Sequence, residues 1–123
     1  MEVPPPLRWL YLDGCRGSIG IAGDEMEFIQ IIECRTNRIE EIQKLEEEWR
    51  AATEGRRTLR RSIVARDRND RQRYLILAFF DDYDSAMANS DLPETGEFGA
   101  KQQALADAPL TFTDLDVLED RAG

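Results

Sequence analysis

The chain has 123 residues, 41% apolar, which is enough for a single domain to bury a core without disulfides or metals as staples. It contains no histidine, which excludes Ser-His-Asp and Cys-His relays, imidazole-ligated zinc and histidine-ligated haem. Its net charge of −9 is uneven: Arg56 to Arg73 holds eight arginines against Asp67 and Asp70, a local +6 that leaves −15 elsewhere.

Residues 1–25 read as an N-terminal arm, extended or disordered, with Pro4-Pro5-Pro6, a broken apolar stretch around Trp9-Leu10-Tyr11, and Gly14, Gly17, Gly20 and Gly23. Glu2 and the absence of a continuous apolar run argue against a signal peptide, and no stretch is long enough to span a bilayer. Because the patterned region begins at the next residue, Met26 reads as a candidate translation start. Cys15 and Cys34 form no C-x-x-C pair and fit a reducing, cytoplasmic setting. The acidic residues show no spaced ligand set, so no metal and no cofactor are expected.

From Glu27 onward strands and helices alternate. Phe28 to Cys34 is apolar on both parities, which predicts a central strand covered on two faces. Asn37 and Glu40 have capping-box spacing, and Ile39, Ile42, Leu45 and Trp49 predict an amphipathic helix ending near Gly55. Glu40 with Lys44 and Glu46 with Arg50 are placed on its outer side.

Leu59 to Arg66 predicts a second strand, Asp67-Arg68-Asn69-Asp70 a turn, and Tyr74 to Phe80 a third strand, again apolar on both parities. The arginines interleave with these strand residues, so the basic run reads as a solvated hairpin face, and no nucleic-acid partner is expected. A short helix over 82–89, a break, and a helix opening at Pro93 follow, with Phe98, Gln102 and Leu105 along it and Ala108-Pro109 ending it. The last strand, Leu110 to Glu119, changes parity between Phe112 and Leu115, which predicts a bulge.

The order βαββαβ predicts an α+β, ferredoxin-like antiparallel sheet of spatial order 4-1-3-2, with the helices on one face. The uncovered apolar face then calls for a partner, most simply a second copy: a homodimer, without nucleic acid or membrane.

Over Glu27 to Glu119 the chain resembles the antibiotic biosynthesis monooxygenase superfamily of dimeric α+β barrels. The residues that carry the resemblance are the Trp49 helix, the Arg61 to Asp67 strand, Tyr74 to Phe80, and Ala86, Asn89, Ser90, Pro93, Thr95 and Phe98. It implies a domain over 26–123 that dimerises into an α+β barrel, with a cavity for a small molecule between sheet and helices or within the barrel. It also implies, for some members, metal- and flavin-free oxidation of aromatic substrates. The haem-degrading branch is excluded by the missing histidine. Others in the superfamily isomerise or dechlorinate small molecules; the alternatives are a non-catalytic binding or sensing dimer and an interaction protein whose arm, with Pro4 to Pro6 and Trp9-Leu10-Tyr11, engages a partner.

The candidate pocket residues are Trp49, Asn89, Phe98 and Phe112. Each has a purely structural alternative: core filling for the three aromatics and a helix C-cap for Asn89. Tyr74 and Tyr83 offer phenolic donors but read as strand-end or surface residues, and Arg61 reads as an edge-strand residue facing water, with an inward position holding an anionic substrate as its alternative. No residue is assigned a catalytic role.

Overall fold

The computed structural model describes residues 26–123. The expectations for the arm, for Met26 as a start and for Cys15 lie outside the described residues.

The strands and helices follow the expected order: β1 (Phe28–Arg35), α1 (Ile39–Ala52), β2 (Arg61–Arg66), β3 (Arg73–Phe80), α2 (Tyr83–Ser90), α3 (Pro93–Leu105) and β4 (Thr111–Asp116). The four strands form one antiparallel sheet ordered β2-β3-β1-β4, so the two strands with apolar residues on both parities are the central ones. Phe28 pairs with Phe80 and Arg35 with Arg73, placing Phe28, Gln30, Ile32 and Cys34 on the same face as Tyr74, Ile76, Ala78 and Phe80.

The helices lie over that even-numbered face. Phe28 is fully buried and meets the Tyr83 ring edge-on, with centroids 5.6 Å apart, and Ala78, Phe80 and Ala86 complete the cluster. Tyr74 and Tyr83 are therefore core residues, contrary to the surface placement expected from their positions near element ends. Even parity in β3 turns Tyr74 under the helices, and the first turn of α2 turns Tyr83 onto the sheet.

Two local expectations are corrected. Helix α1 begins at Ile39 with Arg38 as N-cap and no side-chain cap, so Asn37 lies one residue too early for a capping box. The buried Thr36 takes its place: Oγ1 accepts from the Arg38 N–H at 2.9 Å and donates to the Leu105 carbonyl at 2.8 Å, tying the start of α1 to the end of α3. Strand β4 has no bulge, because its pairing with β1 is continuous from Thr111 opposite Glu33 to Asp116 opposite Phe28. The parity change reflects two occupied faces instead. Phe112 looks toward the helices, and Leu115, 40% exposed, lies on the other face beside Ile29.

That other, odd-numbered face carries Ile29, Ile31, Ile63, Leu75, Leu77 and Phe79, all half-buried, and no described helix packs on it. Toward the β2–β3 hairpin it ends in a charged cluster. Arg73 pairs with Glu33 at 2.8 Å and with Asp67 at 2.9 Å, and Arg35 pairs with Asp70 at 2.6 Å. At the opposite end Arg61, exposed on the edge strand β2 as expected, lays its guanidinium over the Phe79 ring at 5.3 Å.

Candidate functional site

Between the even face of the sheet and the helices lies a cavity of about 1060 Å³, half open to solvent. This is at the upper end for small-molecule sites, and its lining is mostly apolar. Ile32 and Ile76 contribute from the central strands and Val64 and Phe112 from the edges. Ile42 and Trp49 come from α1, Ala86 and Asn89 from α2, and Phe98 and Gln102 from α3. All four candidate residues, Trp49, Asn89, Phe98 and Phe112, thus line one cavity. Arg61 does not line it, and neither do Tyr74 and Tyr83.

Trp49 is 7% exposed and is held from three sides. Its Nε1 donates to Thr95 Oγ1 at 3.0 Å, its ring lies 6.2 Å from that of Phe98, and the Arg57 guanidinium sits 5.9 Å from the ring on another side. With the N–H already engaged, Trp49 offers the cavity an apolar wall.

Asn89 is not the C-cap of α2, a place taken by Asp91. It lies in the last turn, buried, and its Oδ1 accepts from the Thr58 N–H at 3.3 Å. Thr58 also donates through Oγ1 to the Ser85 carbonyl at 2.5 Å, so the segment entering β2 is pinned to α2. Asp82 starts that helix cleanly, its side chain accepting from the Ser85 N–H at 2.8 Å.

Glu46 and Gln102 line the cavity without having been among the candidate pocket residues. Glu46, expected on the outer side of α1, faces the cavity rim. Its Oε2 accepts from Arg50 at 3.1 Å and from Ser62 Oγ at 3.3 Å, joining α1 to β2. Glu46 continues the stripe of Ile39, Ile42 and Trp49 at spacings of three and four, and a carboxylate inside an apolar stripe was the available signal. Gln102 is the other. It shares a helix face with Phe98 and is 2% exposed, an amide where an aliphatic residue would be ordinary. Next to it, burial pushes the Cys34 thiol up, with the Gln102 amide opposing that shift.

Among the described residues that line the cavity, Glu46 and Asp91 are the only ionisable side chains. The Arg56–Glu94 pair, at 2.6 Å, clips the end of α1 to the first turn of α3 near the cavity, and the Arg56 guanidinium holds the Glu94 carboxyl below its usual range. Among the described residues no cluster of three or more histidine, cysteine or acidic side chains is arranged to hold a metal ion, and no helix is long and apolar enough to cross a membrane.

No family model and no curated protein matches the sequence. Solved structures do match. SnoaB, a cofactor-independent oxygenase from Streptomyces nogalater, superposes with a TM-score of 0.64 at 15% identity, over 77% of this chain and 96% of its own. The chain has the fold of the antibiotic biosynthesis monooxygenases. A candidate antibiotic biosynthesis monooxygenase from Caulobacter crescentus gives a TM-score of 0.62 at 13% identity, over 78% of this chain and 94% of that one. A conserved protein from Methanosarcina mazei gives 0.64 at 10% identity, over 74% and 92%. At these identities the likeness is one of fold. The monooxygenase-like fold accounts for the antiparallel α+β sheet, its strand order and its one-sided helices.

Proposed function

We propose that this protein is a cofactor-independent monooxygenase acting on a small aromatic metabolite held in the cavity between sheet and helices. The observation that carries the reading is the cavity itself: about 1060 Å³, with aromatic walls and few polar groups, in a fold shared with a cofactor-independent oxygenase. Trp49, Phe98 and Phe112 are the proposed aromatic walls, and Asn89 the proposed hydrogen-bonding group.

In such chemistry the substrate supplies the electrons. A base removes a proton from a phenol or from an activated ring CH₂, and the electron-rich ring then gives electrons to O₂. One oxygen atom ends as the carbonyl of the ring carbon and the other leaves as water, so no external reductant is needed. Glu46 is the proposed proton acceptor, being the cavity carboxylate anchored through one oxygen by Arg50 and Ser62.

The acting unit is proposed to be a homodimer that closes the odd face of one sheet against its copy, with residues 26–123 as the domain and 1–25 as an appended arm, in a cytoplasmic setting. The half-buried Ile31, Leu75 and Leu77 in mid-sheet support this, since a face of that composition needs cover.

The test is oxygen uptake by the untagged, metal-free full chain over a panel of anthrones, quinols and naphthols, followed by Glu46→Gln on any active compound. Uptake with one oxygen atom incorporated, reduced at least about tenfold by Glu46→Gln, is the expected result. Retention of a co-purified aromatic molecule in native mass spectrometry, with no uptake across the panel, would replace this reading with a binding or sensing protein. That second reading is favoured by a cavity whose described lining holds two ionisable side chains, Glu46 and Asp91.

A further inference from the structure

Gln102 is the buried residue of α3. It lines the cavity at 2% exposure, and its Nε2 is buried without a hydrogen-bond acceptor. An unpaired buried N–H is destabilising, and a methionine or leucine of similar volume would fill the place without that cost. Its neighbour Cys34 is a thiol pushed up by burial, against which the Gln102 amide acts, and a thiol sulfur is only a weak acceptor for that N–H. A half-turn about the last torsion of Gln102, which is broad and two-fold, exchanges oxygen and nitrogen within one volume. In that orientation Oε1 would accept from the Cys34 S–H and Nε2 would face the cavity.

The second buried amide of the cavity is also left as a donor. Asn89 Oδ1 is occupied by the Thr58 N–H, which fixes the orientation of the group, and no described residue accepts from Nδ2. Asn89 lies just before α3, its carbonyl accepting from Leu92, and Gln102 follows nine residues after Pro93, roughly 13 Å along an α-helix. Ile32, Ile76 and Phe98 supply apolar surface to the same cavity, and Thr95, whose hydroxyl is taken by Trp49, lines it between the two amides along the chain.

We propose that Gln102 is a specificity-determining residue of the cavity: it donates Nε2–H to an acceptor oxygen at one end of an elongated apolar ligand, whose other end carries an acceptor oxygen for Asn89. The proposal rests on the reading of the cavity as a small-molecule site. A site with a buried donor discriminates strongly against an analogue that lacks the matching oxygen, because the donor is then left unpaired in the complex.

The experiment is calorimetric titration of the full chain with two probes, 4,4′-diacetylbiphenyl, with a carbonyl at each end, and 4-acetylbiphenyl, with one. Wild type is expected to bind the diketone about tenfold more tightly, and Gln102→Met and Gln102→Leu to bind both ketones equally. Without ligand, both variants should melt at or above the wild-type temperature, because they remove an unpaired amide. Equal binding of the two ketones by wild type, or a tenfold preference that survives in both variants, overturns the role of Gln102 and leaves the cavity reading standing. A melting temperature lowered by many degrees in both variants also overturns it, by making the amide structural. Failure of both ketones to bind wild type overturns the cavity reading and this proposal with it.

Discussion

At the scale of single residues, the side chains that shape the cavity are mostly those whose polar atoms have been taken up by the fold. Trp49 donates its N–H to Thr95, and Asn89 gives its oxygen to Thr58, so each is oriented before any ligand arrives. Trp49→Phe keeps an aromatic wall but leaves Thr95 without its donor and opens a void. Urea denaturation should show a loss of about 1–3 kcal/mol, and an unchanged midpoint would mean that Trp49 is not the tie between α1 and α3. The aromatic residues at this scale were legible in the sequence, since Trp49 and Phe98 stand on helix faces with clear spacing. Glu46 was placed on the outer side of α1, and Gln102 counted only as part of the α3 pattern. A polar residue in an apolar stripe is compatible with either a rim or a buried partner, and only the opposing element decides which.

At the scale of elements, α2 is a helix of eight residues that carries Asn89, and a helix this short depends on its ends. Asp82→Ala removes the acceptor for the Ser85 N–H. The expected cost is about 1 kcal/mol in chemical denaturation, and equal stability would show that packing of Tyr83 and Ala86 alone holds the helix. The β2–β3 hairpin makes a pH prediction. The carboxyls of Glu33, Asp67 and Asp70 are held below their ordinary values, Glu33 chiefly by Arg73, Asp67 by the Asn69 N–H and then Arg73, and Asp70 chiefly by Arg35. Carboxylates depressed in the folded state contribute stability that is present above their unfolded values, 4.5 for Glu and 3.8 for Asp. That stability is lost as pH falls through the lower folded values. Thermal midpoints should therefore drop as pH is taken from 5 toward 2, and Arg73→Met should flatten that drop. A slope identical in wild type and variant would remove Arg73 from the account. The turn itself was readable, because Asp67 and Asp70 accept from the Asn69 and Gln72 N–H groups as turn aspartates do.

At the scale of the whole molecule, the sheet has one face filled by helices and a cavity, and another whose apolar residues have no described helix over them. If that second face is the contact between two copies, as proposed, a charge at its centre should separate them. Leu77, opposite Ile31 on β1 and Ile63 on β2, is the central position. Leu77→Arg is expected to convert a species of twice 14.1 kDa into a monomer in sedimentation velocity, and a persistent dimer would move the contact elsewhere on the surface.

The sequence by itself determined the order of elements, the central position of β1 and β3 and the one-sidedness of the helices. Periodicity and two-parity apolar runs are local properties, and βαββαβ connectivity admits few sheets. It could not determine that Thr36 and not Asn37 serves the start of α1, that β4 runs straight with both faces occupied, or that Tyr74 and Tyr83 are buried. Each depends on a group brought from far along the chain: the Leu105 carbonyl, β1, and the sheet beneath α2. The cavity belongs to the same class. Its lining comes from seven elements and the segments between them, and its volume is the space the helices leave above the sheet, a difference between packed surfaces that no single segment encodes.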